Sequence, residues 1–245
     1  MIRRAVLALI AGAVLVSLAA PAAAQEITLS LGDGDTLSAR TIQLIMLITV
    51  LSLAPGLAVM ITCFPFIVTV LAILRQGIGL QQSPPNMLIV SLALFLTYFV
   101  MEPVFTEAWT MGIDPLLQGQ IEVETAVTRA MEPFRHFMAG RVDPDTLAAL
   151  TALRPDAVDI EPTASAPLSV LVPSFLLSEI ARAFQVGFLV FLPFLIIDLV
   201  VAAILMSMGM MMVPPVVVSL PFKLAFFVIA DGWTLVADSL VRGYF

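Results

Sequence analysis

Met206-Ser207-Met208-Gly209-Met210-Met211-Met212-Val213-Pro214-Pro215 interrupts an apolar tract, residues 183–230, in which Asp198 and Lys223 are the only charges. That tract is long enough for two membrane spans of about 20 residues each. Gly209 frees the backbone to reverse, while Pro214 and Pro215 end an incoming helix and suit the first turn of an outgoing one. The stretch therefore predicts a helical hairpin. It also gathers five of the thirteen methionines of the chain. Methionine is unbranched and rotamer-rich, so a cluster packs against changing shapes where Leu or Ile would hold one contour. The plainer role for such residues is lipid-facing or core filler. A reversal without charge is odd in water, and irregular backbone at membrane depth is tolerated only where it is buried in protein or lines a constriction.

Composition agrees with a membrane setting: the 245 residues are 60% hydrophobic and 12% charged, with a mean hydropathy of +1.07. The formal charge of −7 and the single lysine, Lys223, exclude a basic groove for nucleic acid. Cys63 is the one cysteine, so neither a disulfide framework nor a cysteine metal site is expected. His136 stands alone, no phosphate-binding glycine loop occurs, and neither metal nor cofactor is expected. Any driving energy must come from partners or ion gradients.

Outward from the hairpin, five segments are expected. Residues 1–24 read as a secretory signal peptide, with Arg3 and Arg4 before an apolar core and cleavage between Ala24 and Gln25. Residues 25–40 form a polar lead, and residues 41–105 a first hydrophobic hairpin. Pro55-Gly56 and Pro65 should break or kink the run at 41–74, and Glu102-Pro103 should mark emergence from the hydrocarbon layer. Residues 106–167 are an acidic periplasmic segment with short helices at 122–138 and 144–153, the second capped by Asp143. Residues 168–245 form the second hairpin, with the methionine-rich turn as a pore loop. The expected fold class is an all-α integral membrane-type protein of broken or kinked hairpins, about four hydrophobic segments in all. The expected path starts outside the cytoplasm, enters twice and ends outside.

Five charges are candidates for burial or for a subunit interface: Glu179, Arg182, Asp198, Lys223 and Asp231. Each is costly in a bilayer and so a functional candidate. Glu179 and Arg182, three apart, lie on one helical face and satisfy each other within or between chains. Lys223 can pair with Asp198, with Asp231 or with a neighbouring subunit. The aspartates lack the Tyr-Asp and Gly-x-Gly-Asp signatures of proteases that cut within membranes.

At these residues the chain resembles the FliP family of flagellar type III export-gate proteins and their injectisome counterparts. The resemblance runs through Pro173-Ser174-Phe175-Leu176-Leu177-Ser178-Glu179-Ile180, Ala183-Phe184-Gln185-Val186-Gly187-Phe188 and Leu192-Pro193-Phe194-Leu195-Ile196-Ile197-Asp198. It continues through the methionine and double-proline run, Ser219-Leu220-Pro221-Phe222-Lys223-Leu224 and Asp231-Gly232-Trp233. Upstream, Pro84-Pro85-Asn86 and Pro133-Phe134-Arg135-His136-Phe137-Met138 also match. In one departure, Cys63-Phe64-Pro65-Phe66-Ile67 stands where the family usually has Ser-Phe-Thr-Arg-Ile.

The resemblance implies a non-enzymatic pore subunit in the bacterial inner membrane, a pentamer assembling with FliQ and FliR at the centre of the basal body and passing unfolded protein. It implies that much apolar surface is buried between subunits, and that Met210, Met211 and Met212 form a gasket in the pore. The signal peptide favours the flagellar over the injectisome type. From a different class, an ion-coupled small-solute transporter using Glu179, Asp198 and Lys223 is the competing expectation.

Overall fold

The computed structural model describes residues 34–80, 83–153, 166–210 and 212–245, and among these every regular element is helical. The proposed cleavage site at Ala24 and Gln25, residues 154–165 and Met211 lie outside the described residues. The elements are α1 (Gly34–Met60), α2 (Phe64–Ile78), α3 (Asn86–Ala108), a π turn (Trp109–Ile113), α4 (Asp114–Leu117), α5 (Val123–Ala139), α6 (Pro144–Ala152), α7 (Leu168–Ser207), α8 (Pro215–Ile229) and α9 (Gly232–Arg242).

Of the two interruptions expected in the first apolar run, the one at Pro65 forms and the one at Pro55-Gly56 does not. Helix α1 continues through Pro55 and Gly56, and the break falls at residues 61–63. There the Thr62 hydroxyl donates to the Val59 carbonyl at 2.9 Å and accepts from the Phe64 amide at 3.4 Å, serving both helix ends at once. Pro65 sits in the first turn of α2, where its missing N–H is no loss. At the far end Gly79 takes the left-handed conformation, φ 89°, and closes α2 with a bond to the Gln76 carbonyl. Arg75, still within the last turn of α2, donates to the Asn86 side chain and so joins α2 to the start of α3.

Helix α3 runs on past Glu102-Pro103 and passes into the π turn. The wider turn lets Gly112 lie against α5 so closely that an added Cβ would stand 2.6 Å from the Ala126 carbonyl oxygen. Both helices expected in the acidic segment form. The Asp143 carboxylate accepts from the Thr146 amide at 2.9 Å, capping α6.

Helix α7 forms the first arm of the second hairpin and ends at the methionine stretch, as expected. A single helix of 40 residues runs through Pro173, through the charged pair Glu179 and Arg182, and through Pro193. Apolar surroundings offer the freed carbonyls no competing water, so a proline interrupts the hydrogen-bond ladder without ending the helix. Ser174 and Ser178 turn their hydroxyls back to the Val170 and Ser174 carbonyls of the same helix. Segments Asn86–Leu117 and Leu168–Ser207 are each long and apolar enough to cross a membrane, and α8 with α9 makes a third candidate bent by 61°.

Within residues 52–245, α2 packs along α7 through reciprocal small residues. Phe191 and Phe194 of α7 fill the space beside Gly77, and Ile73 of α2 fills the space beside Gly187. Close approach through glycine is how helices associate where water provides no drive. One core cluster joins Ile67, Val70, Leu71 and Leu74 of α2 to Ala93 and Met101 of α3, Ala183 and Phe194 of α7, and Phe227 and Leu240 of the last two helices. A second cluster packs Met138, Val142 and Leu147 against Val170, Leu171 and Phe175. Outside these clusters Phe184, Phe188, Leu189, Ile196, Leu199 and Ile204 of α7 are exposed in the single chain. Such a row of large apolar side chains requires an apolar solvent or protein partners.

Candidate functional site

The methionine stretch builds its reversal from backbone hydrogen bonds. Met210 N–H donates to the Leu205 carbonyl at 2.9 Å and Gly209 N–H to the Met206 carbonyl at 3.0 Å, with Gly209 at φ 75°. That paired pattern around a left-handed glycine is the Schellman motif, which satisfies the last carbonyls of a helix and stops it. Pro214 then caps α8 and Pro215 opens it. The helix thus stops at a fixed place, and the methionines described around it are exposed. Met210 is 41% exposed and Met212 97% exposed, and Met206 and Met208 are exposed as well. No polar side chain of the turn competes with them, because Ser207 donates its hydroxyl back to the Ile204 carbonyl at 2.7 Å.

Below the turn, α7 and α8 are pinned together. Lys223 Nζ lies 2.6 Å from Asp198 Oδ2, and the Ser219 hydroxyl donates to the other carboxylate oxygen. Ser219 and Lys223 are four apart on one face of α8, which places both donors opposite Asp198. Lys223 is 3% exposed, while Asp198 is half-buried. Of the partners open to Lys223, the structure selects Asp198. Asp231 is not buried in this chain: it is exposed, occupies the left-handed region at φ 48°, and accepts from the Thr234 hydroxyl at the start of α9. It turns the chain between helices. Between α7 and α8, around Ile197, Val200, Val201, Ile204, Val218 and Phe222, lies an apolar groove of about 400 Å³.

A second charged centre lies on α7. Glu179 is 0% exposed and accepts from Arg141 Nε at 2.9 Å, from Arg182 Nη1 at 3.0 Å and from the Tyr244 hydroxyl. Burial, and next the Glu179 charge, push the Tyr244 phenol upward, so it keeps its proton and donates. The Arg141 guanidinium also covers the Tyr244 ring at 3.8 Å and donates to the Gly243 carbonyl at 3.0 Å. Arg182 donates to the Arg141 carbonyl at 3.3 Å. Glu179 and Arg182 therefore pair within one chain, and the pair belongs to a network of four side chains. Sequence reasoning missed Arg141 and Tyr244, which lie far from Glu179 along the chain and carry no local signal. Ser219 does carry a sequence sign, its four-residue spacing from Lys223.

An all-helical membrane protein, with a charge-free reversal and two internally paired charge centres, is the class these features define. The chain belongs to the FliP family, whose model matches residues 47–240. It is 49% identical over 243 residues to the flagellar biosynthetic protein FliP of Caulobacter vibrioides, covering 99% of this chain and 91% of that one. The FliP of Rhizobium meliloti is 50% identical over 199 residues, 81% of each chain. That of Bacillus subtilis is 44% identical over 220 residues, 88% of this chain and 96% of its own.

Proposed function

We propose that this chain is a pore-forming core subunit of the flagellar type III protein export gate, passing unfolded flagellar proteins across the inner membrane. Its relatives carry the name flagellar biosynthetic protein, which favours the flagellar over the injectisome reading. The observation that carries the proposal is the methionine turn: a backbone locked by its own hydrogen bonds presents Met210 and Met212 outward with no polar competitor. Met211, between them, joins the same set by sequence. Repeated around a ring of subunits, flexible apolar side chains close an empty pore by dewetting and part for cargo side chains of every size. In this reading the exposed apolar rows of α7 meet other subunits or lipid, and the partners are further copies of the chain, in a pentamer, with FliQ and FliR. The chain spans the membrane several times, faces the periplasm through its acidic segment, and catalyses no reaction of its own.

The transporter reading is weaker on one observation: Asp198 and Lys223 neutralise each other directly. Purified protein in liposomes separates the two, because a transporter moves solute alone whereas a gate subunit requires its partners. For the gasket, Met210, Met211 and Met212 are replaced together by Ala and ion leak through the resting cell membrane is measured. Increased leak supports the seal, and unchanged leak removes it.

A further inference from the structure

Helices α8 and α9 form one elbow. At its corner an added Cβ on Gly232 would stand 2.1 Å from the Phe227 ring, and Trp233 packs edge-on against the same ring at 5.3 Å. A corner so filled does not flex freely, so α8 and α9 move together. One arm begins at the methionine turn, where Pro215 opens α8, and is pinned to α7 through Asp198, Ser219 and Lys223. The other arm leads through α9 to Tyr244.

Tyr244 is fixed by four side chains. Its hydroxyl donates to the buried Glu179 carboxylate, and the Arg141 guanidinium lies over its ring. The ring itself is stacked on Phe137 at 6.1 Å and meets the edge of Phe66 at 5.7 Å. These contacts come from α5, α2, α7 and the turn after α5, so one side chain joins the end of the elbow to the remainder of residues 52–245. Tyr244 is half-buried, as are Arg141 and Arg182, but of the four side chains in the Glu179 network it is the one that follows α9 and so belongs to the elbow.

We infer that Tyr244 is a latch that holds the α8–α9 elbow in its resting position by closing the hydrogen-bond set of Glu179. The consequence for a seal at the methionine turn rests on the gate reading above, whereas the latch itself does not. Released from Glu179, Tyr244 lets α9 swing from α3 while the filled corner carries the motion into α8.

Tyr244→Phe in the full chain, held in lipid nanodiscs, tests this: the ring and its stacking stay and only the hydroxyl is lost. Hydrogen–deuterium exchange of the α9 amides is expected to quicken about tenfold, the effect of losing one hydrogen bond to a charged group, with α2 unchanged. Unchanged exchange in α9 overturns the latch, as does equal quickening in α2 and α9, which would report general loosening. Tyr244→Ala, which also removes the ring, is expected to quicken α9 further; should that variant fail to fold, the Phe variant decides. The leak of the methionine variants is an independent readout, so it can fail while α9 exchange upholds the latch, and the reverse.

Discussion

Arg141 and Glu179, 38 residues apart in the chain, meet with Nε 2.9 Å from Oε1, and the carboxylate has no exposure to solvent. The contact ties the turn between α5 and α6 to the first third of α7. Removing the carboxylate strands two guanidinium groups beside an apolar core. Glu179→Ala is therefore expected to cost about 3 kcal/mol, the lower end for breaking a buried pair because Arg182 reaches water. Glu179→Gln, which still accepts hydrogen bonds, should recover part of this. Denaturant unfolding of the detergent-solubilised chain measures both, and equal stability of the Ala variant and the parent would remove Glu179 as the organising group.

The pin between α7 and α8 predicts coupling rather than simple loss. Lys223→Ala leaves Asp198 in a largely apolar hairpin, and Asp198→Ala leaves the better-buried ammonium without a counter-charge. The double variant loses both costs together. A double-mutant cycle should therefore show about 1–2 kcal/mol of coupling, with the double variant more stable than the sum of the singles. An additive result would mean that the 2.6 Å pair carries no net interaction.

Two glycines allow close helix contact but differ in what faces them. At Gly187 an added Cβ meets the end of the Ile73 side chain at 2.4 Å, which can rotate aside, while at Gly112 it meets backbone of Ala126 and Ala130, which cannot. Gly187→Ala is expected to cost about 1–2 kcal/mol, partly offset by alanine's better helix propensity. Gly112→Ala should cost more and separate α5 from the π turn. Thermal unfolding ranks the two, and the reverse order contradicts the packing.

The cap of α6 gives a pH signature. Hydrogen bonds from the Thr146 hydroxyl, then from its amide, hold the Asp143 carboxyl below its ordinary value of 3.8. A carboxyl lowered on folding adds stability that is complete above the unfolded value and lost as pH falls through the folded one. Amide exchange in α6, corrected for its intrinsic pH dependence, should show protection falling as pH drops below about 4. Asp143→Asn, which still caps but does not titrate, should flatten that fall. An identical pH profile in the variant would assign the loss to another group.

Much of this fold is written locally. Gly209 and the proline pair announce the hairpin, because a left-handed glycine and an N-terminal proline act through their own backbone. Asp143 before Pro144 announces the α6 cap for the same reason. The helix breaks read less well: Pro55-Gly56 reads as a stop, yet Pro55 lies inside a helix, as do Pro103, Pro173 and Pro193. Local propensity assumes that water competes for freed carbonyls, and in apolar surroundings it does not. Thr62, which spans the real break through hydrogen bonds to both sides, carries no composition signal.

By itself the sequence determined the class and the ends of the problem: an apolar all-helical chain, a methionine reversal without charge, and charges costly enough to need partners. Only tertiary structure decided which partners those are. Glu179 takes Arg141 and Tyr244 as well as Arg182, and Lys223 takes Asp198, while Asp231 turns a corner instead. The physical reason is range. A turn is set by the dihedral preferences of neighbours along the chain, whereas a buried charge is satisfied by whichever donors the packing of distant helices brings within about 3 Å.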